Sequence, residues 1–265
     1  MNGIRFASVL IAICFMFSTG YALDKKPLQS EKESFLSKPD QQYQHALSLK
    51  DKGEYDAAIR ILQNLVDENQ GNVRYEIARL DAIIEQSRDL KEAGNAGWKI
   101  KAKEVRYRIK VMHAANAGNG DYWVLYAKYS WIVESNKETH ITKAIEKALF
   151  YKHDNPEAYI VQADYYFDKA VNTSGDGRQN TMMQGISTNA EGDRFSYAKM
   201  AKASYESALK GNLRAARKAY IYYRMGSLEE RIFQENASAR KDWESAVKLS
   251  PESLAGRLAR NRLGS

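Results

Sequence analysis

Small and apolar residues recur at three- and four-residue spacing from residue 40 onward, most plainly in residues 40–72, DQQYQHALSLKDKGEYDAAIRILQNLVDENQGN. Tyr43, Ala46, Leu47 and Leu49 share one side of a first helix. Gly53 permits a tight turn, and Tyr55, Ala58, Ile59, Leu62 and Leu65 form the apolar stripe of a second helix. The stretch reads as a helical hairpin. Further pairs follow at 72–86 with 98–115, at 121–134 with 139–152, at 156–170 with a helix from 194, and at 213–233 with 237–249. A short last helix is expected at 252–263. Residues 172–193, NTSGDGRQNTMMQGISTNAEGD, lack any period and read as an inserted loop, either disordered or a lid over a groove.

The details of the first hairpin resemble a tetratricopeptide repeat. Ala46 occupies the small position of the first helix, Gly53-Glu54-Tyr55 matches the turn, and Ala58 stands at the small position of the second helix. Leu62 and Leu65 fill the two later places. Small residues let neighbouring helices approach, and bulky ones fill the gaps between hairpins. Trp123 with Ala127, Tyr159 with Ala163, and Tyr222 with Gly226 repeat the pattern of large and small residues in later units. The long link at 87–97 and the insertion at 172–193 depart from it. The resemblance implies an all-α, right-handed solenoid of about five hairpins, with a repeat of loosely ~34 residues and a C-terminal capping helix.

What such a family implies about function is a binding surface, because the first helices of stacked hairpins line a concave groove. Carried over position by position, the groove residues are Tyr43, Leu47 and Lys50 in the first unit and Val124, Lys128 and Trp131 in the third. The fourth unit contributes Ile160, Asp164 and Phe167, and the fifth Tyr223 and Glu230. Aromatics beside isolated charges suit a peptide or a partner helix. The expected activity is therefore that of a non-catalytic scaffold for a protein or peptide partner, with a small-molecule or polysaccharide carrier as the alternative. The amino-terminal hairpin, with no earlier repeat to cover Tyr43 or His45, is the first place to look for a partner.

The amino terminus changes the picture of location. Residues 1–22 carry one charge, Arg5, an apolar run from Val9 to Phe17, and small residues at Gly20 and Ala22, the layout of a secretory signal peptide cut after Ala22. A retained anchor helix and a lipidated Cys14 are alternatives, but the apolar run is about half of the ~20 residues a membrane span needs, and Ile13 is bulky for a lipoprotein cut. Residues 23–39 form a flexible leader before the folded part, 40–265. A periplasmic or secreted destination follows, with no membrane insertion once the signal is removed.

Cys14 is the only cysteine, so cleavage leaves no thiol or disulfide chemistry. Formal charge is +7, spread along the chain, which gives no nucleic-acid stripe and makes nucleic acid an unexpected partner. One local exception is the row Lys99, Lys103, Arg106 and Lys110, either a solvated face or a grip for an acidic partner. His45, His113, His140 and His153 have no partner at metal-ligand spacing, and no phosphate loop or nucleophile elbow is present, so neither a metal, a cofactor nor a catalytic residue is expected. The pattern leaves the oligomeric state open.

Overall fold

The computed structural model describes residues 37–134, 138–172 and 190–264. The expected signal peptide, the leader as far as residue 36 and residues 173–189 of the expected insertion lie outside the described residues. The chain divides into two units after Gln41. Of the first unit, residues 37–41 are described. There Ser37 Oγ donates to the Asp40 carboxylate at 2.7 Å and accepts from the Asp40 backbone N–H at 3.3 Å, a local arrangement that starts a helix.

Eleven α-helices are present among the described residues. They are α1 (Lys38–Asp51), α2 (Tyr55–Glu68), α3 (Val73–Glu92), α4 (Trp98–Met112), α5 (Gly120–Lys128), α6 (Glu138–Tyr151), α7 (Pro156–Asn172), α8 (Ala190–Leu209), α9 (Ala215–Leu228), α10 (Asn236–Leu249) and α11 (Leu254–Gly264). Packing follows chain order. Helix α3 packs on α2 and α4, α5 on α6, α7 on α8, and α9 on α10, and α11 lies against both α9 and α10. The odd helices also touch in succession, α3 with α5 and α5 with α7. Asparagine starts three of them. Asn72, Asn119 and Asn155 each accept a backbone N–H of the following turn at 2.9–3.3 Å, and Pro156 after Asn155 has no N–H to leave unsatisfied.

Buried small residues explain how closely the helices meet. Ala46, with Leu62, Leu65 and Tyr75, joins α1, α2 and α3 in one apolar cluster, and Ala219, Ala239 and Ala246 pack with Trp243 between α9 and α10. At Gly226 the approach is tighter than any side chain allows, since a Cβ there would lie 2.6 Å from Trp243 Nε1 and 2.9 Å from the Ala239 carbonyl oxygen.

Several boundaries differ from expectation. The first helix of the third pair is α-helical only to Lys128 and widens into a π turn at Tyr129–Val133, and α9 ends in a second π turn at Glu229–Phe233. Helix α4 stops at Met112 and gives way to a short 3-10 turn at Ala114–Asn116. Helix α7 includes Asn172 and α8 begins at Ala190, so helix occupies both ends of the expected inserted loop.

The larger correction concerns the ends of the stack. An open solenoid would leave the first hairpin uncovered, yet its turn meets the last helices. Arg214 grips the Asp51 carboxylate through both terminal nitrogens, at 2.5 and 3.3 Å. Arg257 donates to the Lys52 carbonyl at 2.9 Å. Gly53, at φ +79°, stands against Leu254, whose Cδ2 would lie 3.5 Å from a Cβ placed there. The turn after α1 is thus in contact with the start of α9 and with α11. Tyr43 is half-buried against the Tyr75 ring, under the Arg74 guanidinium at 4.0 Å, whereas His45 is exposed.

The Gly226 contact has a measurable consequence. Alanine gains about 1 kcal/mol of helix propensity over glycine, but here the added methyl meets a fixed carbonyl and a buried indole, and overpacking of that kind costs about 1–3 kcal/mol. Gly226→Ala should lower the urea midpoint at unchanged slope, by up to about 2 kcal/mol in net stability. Gly118→Ala, with nothing within 4 Å of the new methyl, should be neutral or stabilising by up to about 1 kcal/mol.

Candidate binding site on the inner face

The inner wall is built from the odd helices, and its middle is a chain of ion pairs. Lys128 of α5 is only 3% exposed, and its Nζ donates to Asp81 Oδ1 at 2.6 Å and to Glu85 Oε1 at 3.0 Å, both on α3. Lys50 of α1 binds the second oxygen of Asp81, and Arg88 binds the second oxygen of Glu85 at 2.7 Å. Farther round, Arg217 Nε of α9 donates to Glu157 Oε1 of α7 at 3.0 Å. Asp164 of α7 accepts from the hydroxyls of Tyr205 and Tyr220, the latter at 2.8 Å, and Arg224 lies 3.4 Å from it with its guanidinium 3.6 Å above the Phe167 ring. Together with Arg214 and Asp51, these contacts tie α1 to α3, α3 to α5, α7 to α9 and the start of α9 back to α1.

Charges taken out of water this thoroughly depend on one another. Burial pushes the Asp81 carboxyl upward, but Lys128 and Lys50 outweigh it and hold the group well below the usual carboxylate range. For Glu85 burial is likewise outweighed, by Arg88 and Lys128, and its pKa falls to about 2. Burial lowers Lys128, and Asp81 and Glu85 more than reverse this, so it keeps its proton far into alkali. Asp168 behaves in the opposite way. Burial drives it up to about 6 against the pull of Arg224, and Asp164 adds to the rise.

Two cavities flank this charged layer, and Lys50 lines both. The first, of about 220 Å³, receives side chains from five of the odd helices, α1, α3, α7, α9 and α11: Lys50, Arg88, Asp168, Tyr220, Arg224, Leu254 and Leu258 among them, with Trp131 from the π turn after α5. The second, of about 380 Å³, lies toward the amino-terminal ends of α3 and α5 and is walled by Tyr43, Leu47, Ile77, Asp81, Val124 and Lys128.

The groove residues expected from the sequence are therefore distributed over several environments. Tyr43, Leu47, Lys50, Val124 and Lys128 meet at the second cavity, and Lys50, Trp131 and Tyr223 at the first. Lys128 is present there as a buried, doubly paired ion. Ile160 is fully enclosed in the core, Phe167 is buried beneath Arg224, and Asp164 is held by Tyr205, Tyr220 and Arg224. Glu230 faces Arg262 of the last helix at 3.6 Å and lines neither cavity. On α9 the side chains that reach α7 are Arg217, Tyr220 and Arg224.

Asp81, Glu85 and Arg88 were absent from the expected set altogether. They stand on α3 at spacings of four and three, the rhythm of Val124 and Lys128 on α5 and Trp131 in the π turn after it. That shared rhythm is the signal that finds them. Among the described residues no group of three His, Cys, Asp or Glu is placed to hold a metal ion. No protein-family model matches the chain, and no curated protein matches it significantly.

Removing the central lysine tests the layer. Lys128→Met leaves Asp81 and Glu85 short of a buried partner and should cost about 3–5 kcal/mol at neutral pH. Both carboxyls are depressed in the folded state, so their contribution is present above the unfolded value near pH 4 and is lost as pH falls, toward about 2 for Glu85 and lower still for Asp81. The difference between wild type and variant in chemical denaturation should accordingly narrow through that acid window.

Proposed function

We propose that this chain is a non-catalytic binding protein of the tetratricopeptide type, exported to the periplasm, that holds a short segment of a partner protein at its inner face. The observation that carries the reading is the convergence of five odd helices and the π turn after α5 on one small cavity, where Trp131, Tyr223, Leu254 and Leu258 stand beside Arg88, Asp168 and Arg224. Apolar and aromatic walls give an anchor its affinity, and charges of both signs fix its orientation. At about 220 Å³ the cavity is smaller than the roughly 300–1,000 Å³ that encloses a drug-sized ligand. It suits one or two side chains of a peptide whose backbone lies outside it. The helical pairs in chain order, the small residues between them and the resemblance of the first hairpin support the family reading. The pattern of residues 1–22 supports export.

Panning a displayed random-peptide library on the chain tests this. Peptides sharing an aromatic or aliphatic anchor should be enriched, and Trp131→Ala with Tyr223→Ala should weaken them by at least about tenfold, as loss of an anchor pocket does. Lys128 is unsuitable for this purpose because its substitution disturbs folding. Enrichment indifferent to the two substitutions would remove the cavity from the reading. Glycans captured in place of peptides, and lost in the same variant, would point to the carrier alternative.

A further inference from the structure

Helix α4 has two apolar faces. Ala102, Val105, Ile109 and Met112 are buried and form its core side. On the opposite side Ile100, Tyr107 and Val111 are 76%, 67% and 58% exposed. At 3.6 residues per turn these three lie within about 20° of a single line along the helix. Among the large apolar residues exposed on the described surface, no other helix carries three.

Charge on the same helix is one-sided. Lys103 and Lys110 border the stripe, with Lys99 and Arg106 just beyond. Arg106 reaches Glu134 and Lys101 lies 3.7 Å from Asp56, whereas Lys99, Lys103 and Lys110 enter no ion pair among the described residues. Glu104, the only acid on α4, is taken up by Arg79 at 2.5 Å. An exposed apolar line edged by unpaired lysines is what an interfacial helix presents to an anionic bilayer: the apolar side chains enter the headgroup boundary, tyrosine is favoured there, and the ammonium groups meet lipid phosphates. A second copy of the chain fits poorly, because two such faces would bring like-charged rows together.

We infer that the exposed face of α4 docks the protein on an anionic lipid surface, without insertion of any helix. The site lies away from the inner cavities and is independent of what they hold. The α4 residues lining neither cavity leave both roles able to operate at once.

Sedimentation with phosphatidylcholine vesicles, with and without roughly a quarter phosphatidylglycerol, tests the assignment. Each lysine near an anionic surface is worth about a fivefold gain in partitioning. The anionic-lipid-dependent binding should therefore fall by at least about thirtyfold in the doubly substituted Lys103→Glu, Lys110→Glu chain. Ile100→Ser should lower it by roughly tenfold through lost apolar burial. These positions are exposed, and unchanged circular dichroism will show that each variant is folded. The readout is the increment due to anionic lipid, to which the apolar run Val9–Phe17, common to all variants, does not contribute. A chain with Lys241→Glu and Lys248→Glu, exposed on α10, carries the same net charge and should bind as wild type. Absence of an anionic-lipid increment in the unaltered chain overturns the inference, as does equal loss in the α4 and α10 reversals.

Discussion

An ammonium group almost wholly removed from water is tolerable only between carboxylates, and Lys128 meets that condition by drawing Asp81 and Glu85 of the neighbouring helix toward it. Much of the inner wall follows from this arrangement. Asp81 carries the link onward to Lys50, and Glu85 carries it to Arg88, so three hairpins share one charged layer. A slip of one residue between α3 and α5 would turn the acids about 100° away from the lysine and leave it buried alone. The layer thus fixes the register of helices whose contacts are otherwise made by interchangeable alanines and leucines.

How far the sequence discloses such a structure depends on the range of the interaction. Local signals are clear: Gly53 in its turn, the asparagines before α3, α5 and α7, and the alternation of Ala46, Ala58 and Ala78 with bulky neighbours place the helices and pair them. Positions on a single helix are legible as well, which is why the tetratricopeptide resemblance can be carried over to name Lys50, Lys128 and Trp131. Which of those charges are partnered depends on residues 31, 43 and 47 positions apart, and no short-range pattern encodes that. The contacts of α9 are of the same kind. The resemblance carries over Tyr223, which lines the first cavity, and Glu230, whereas the acids Asp164 and Glu157 draw in Tyr220, Arg224 and Arg217.

The two π turns are a further feature that periodicity does not disclose. Each interrupts an odd helix near its carboxyl end, after Lys128 in α5 and after Leu228 in α9. A wider turn shifts the phase of the side chains beyond it, and such insertions concentrate where a side chain has been re-aimed. Trp131 projects from the first and reaches the inner cavity. Glu229 opens the second and is buried, accepting from Lys202 of α8 at 2.6 Å. Phase matters here more than composition.

The meeting of the first turn with the last helices bears on how the molecule frays. In an open stack each terminal hairpin has one neighbour, and local opening begins there at little cost. Here Arg214 holds Asp51 across 163 positions of chain, and Arg257 holds Lys52 across 205. Neither end can peel away without breaking contacts made by the other. Such separations add only slowly to the entropy of closing the chain, since each doubling costs about 0.6 kcal/mol, but they delay closure until the intervening hairpins are in place. Hydrogen exchange around Lys52 and in α11 should then be governed by one shared opening event, and the two open together as a clasp rather than separately.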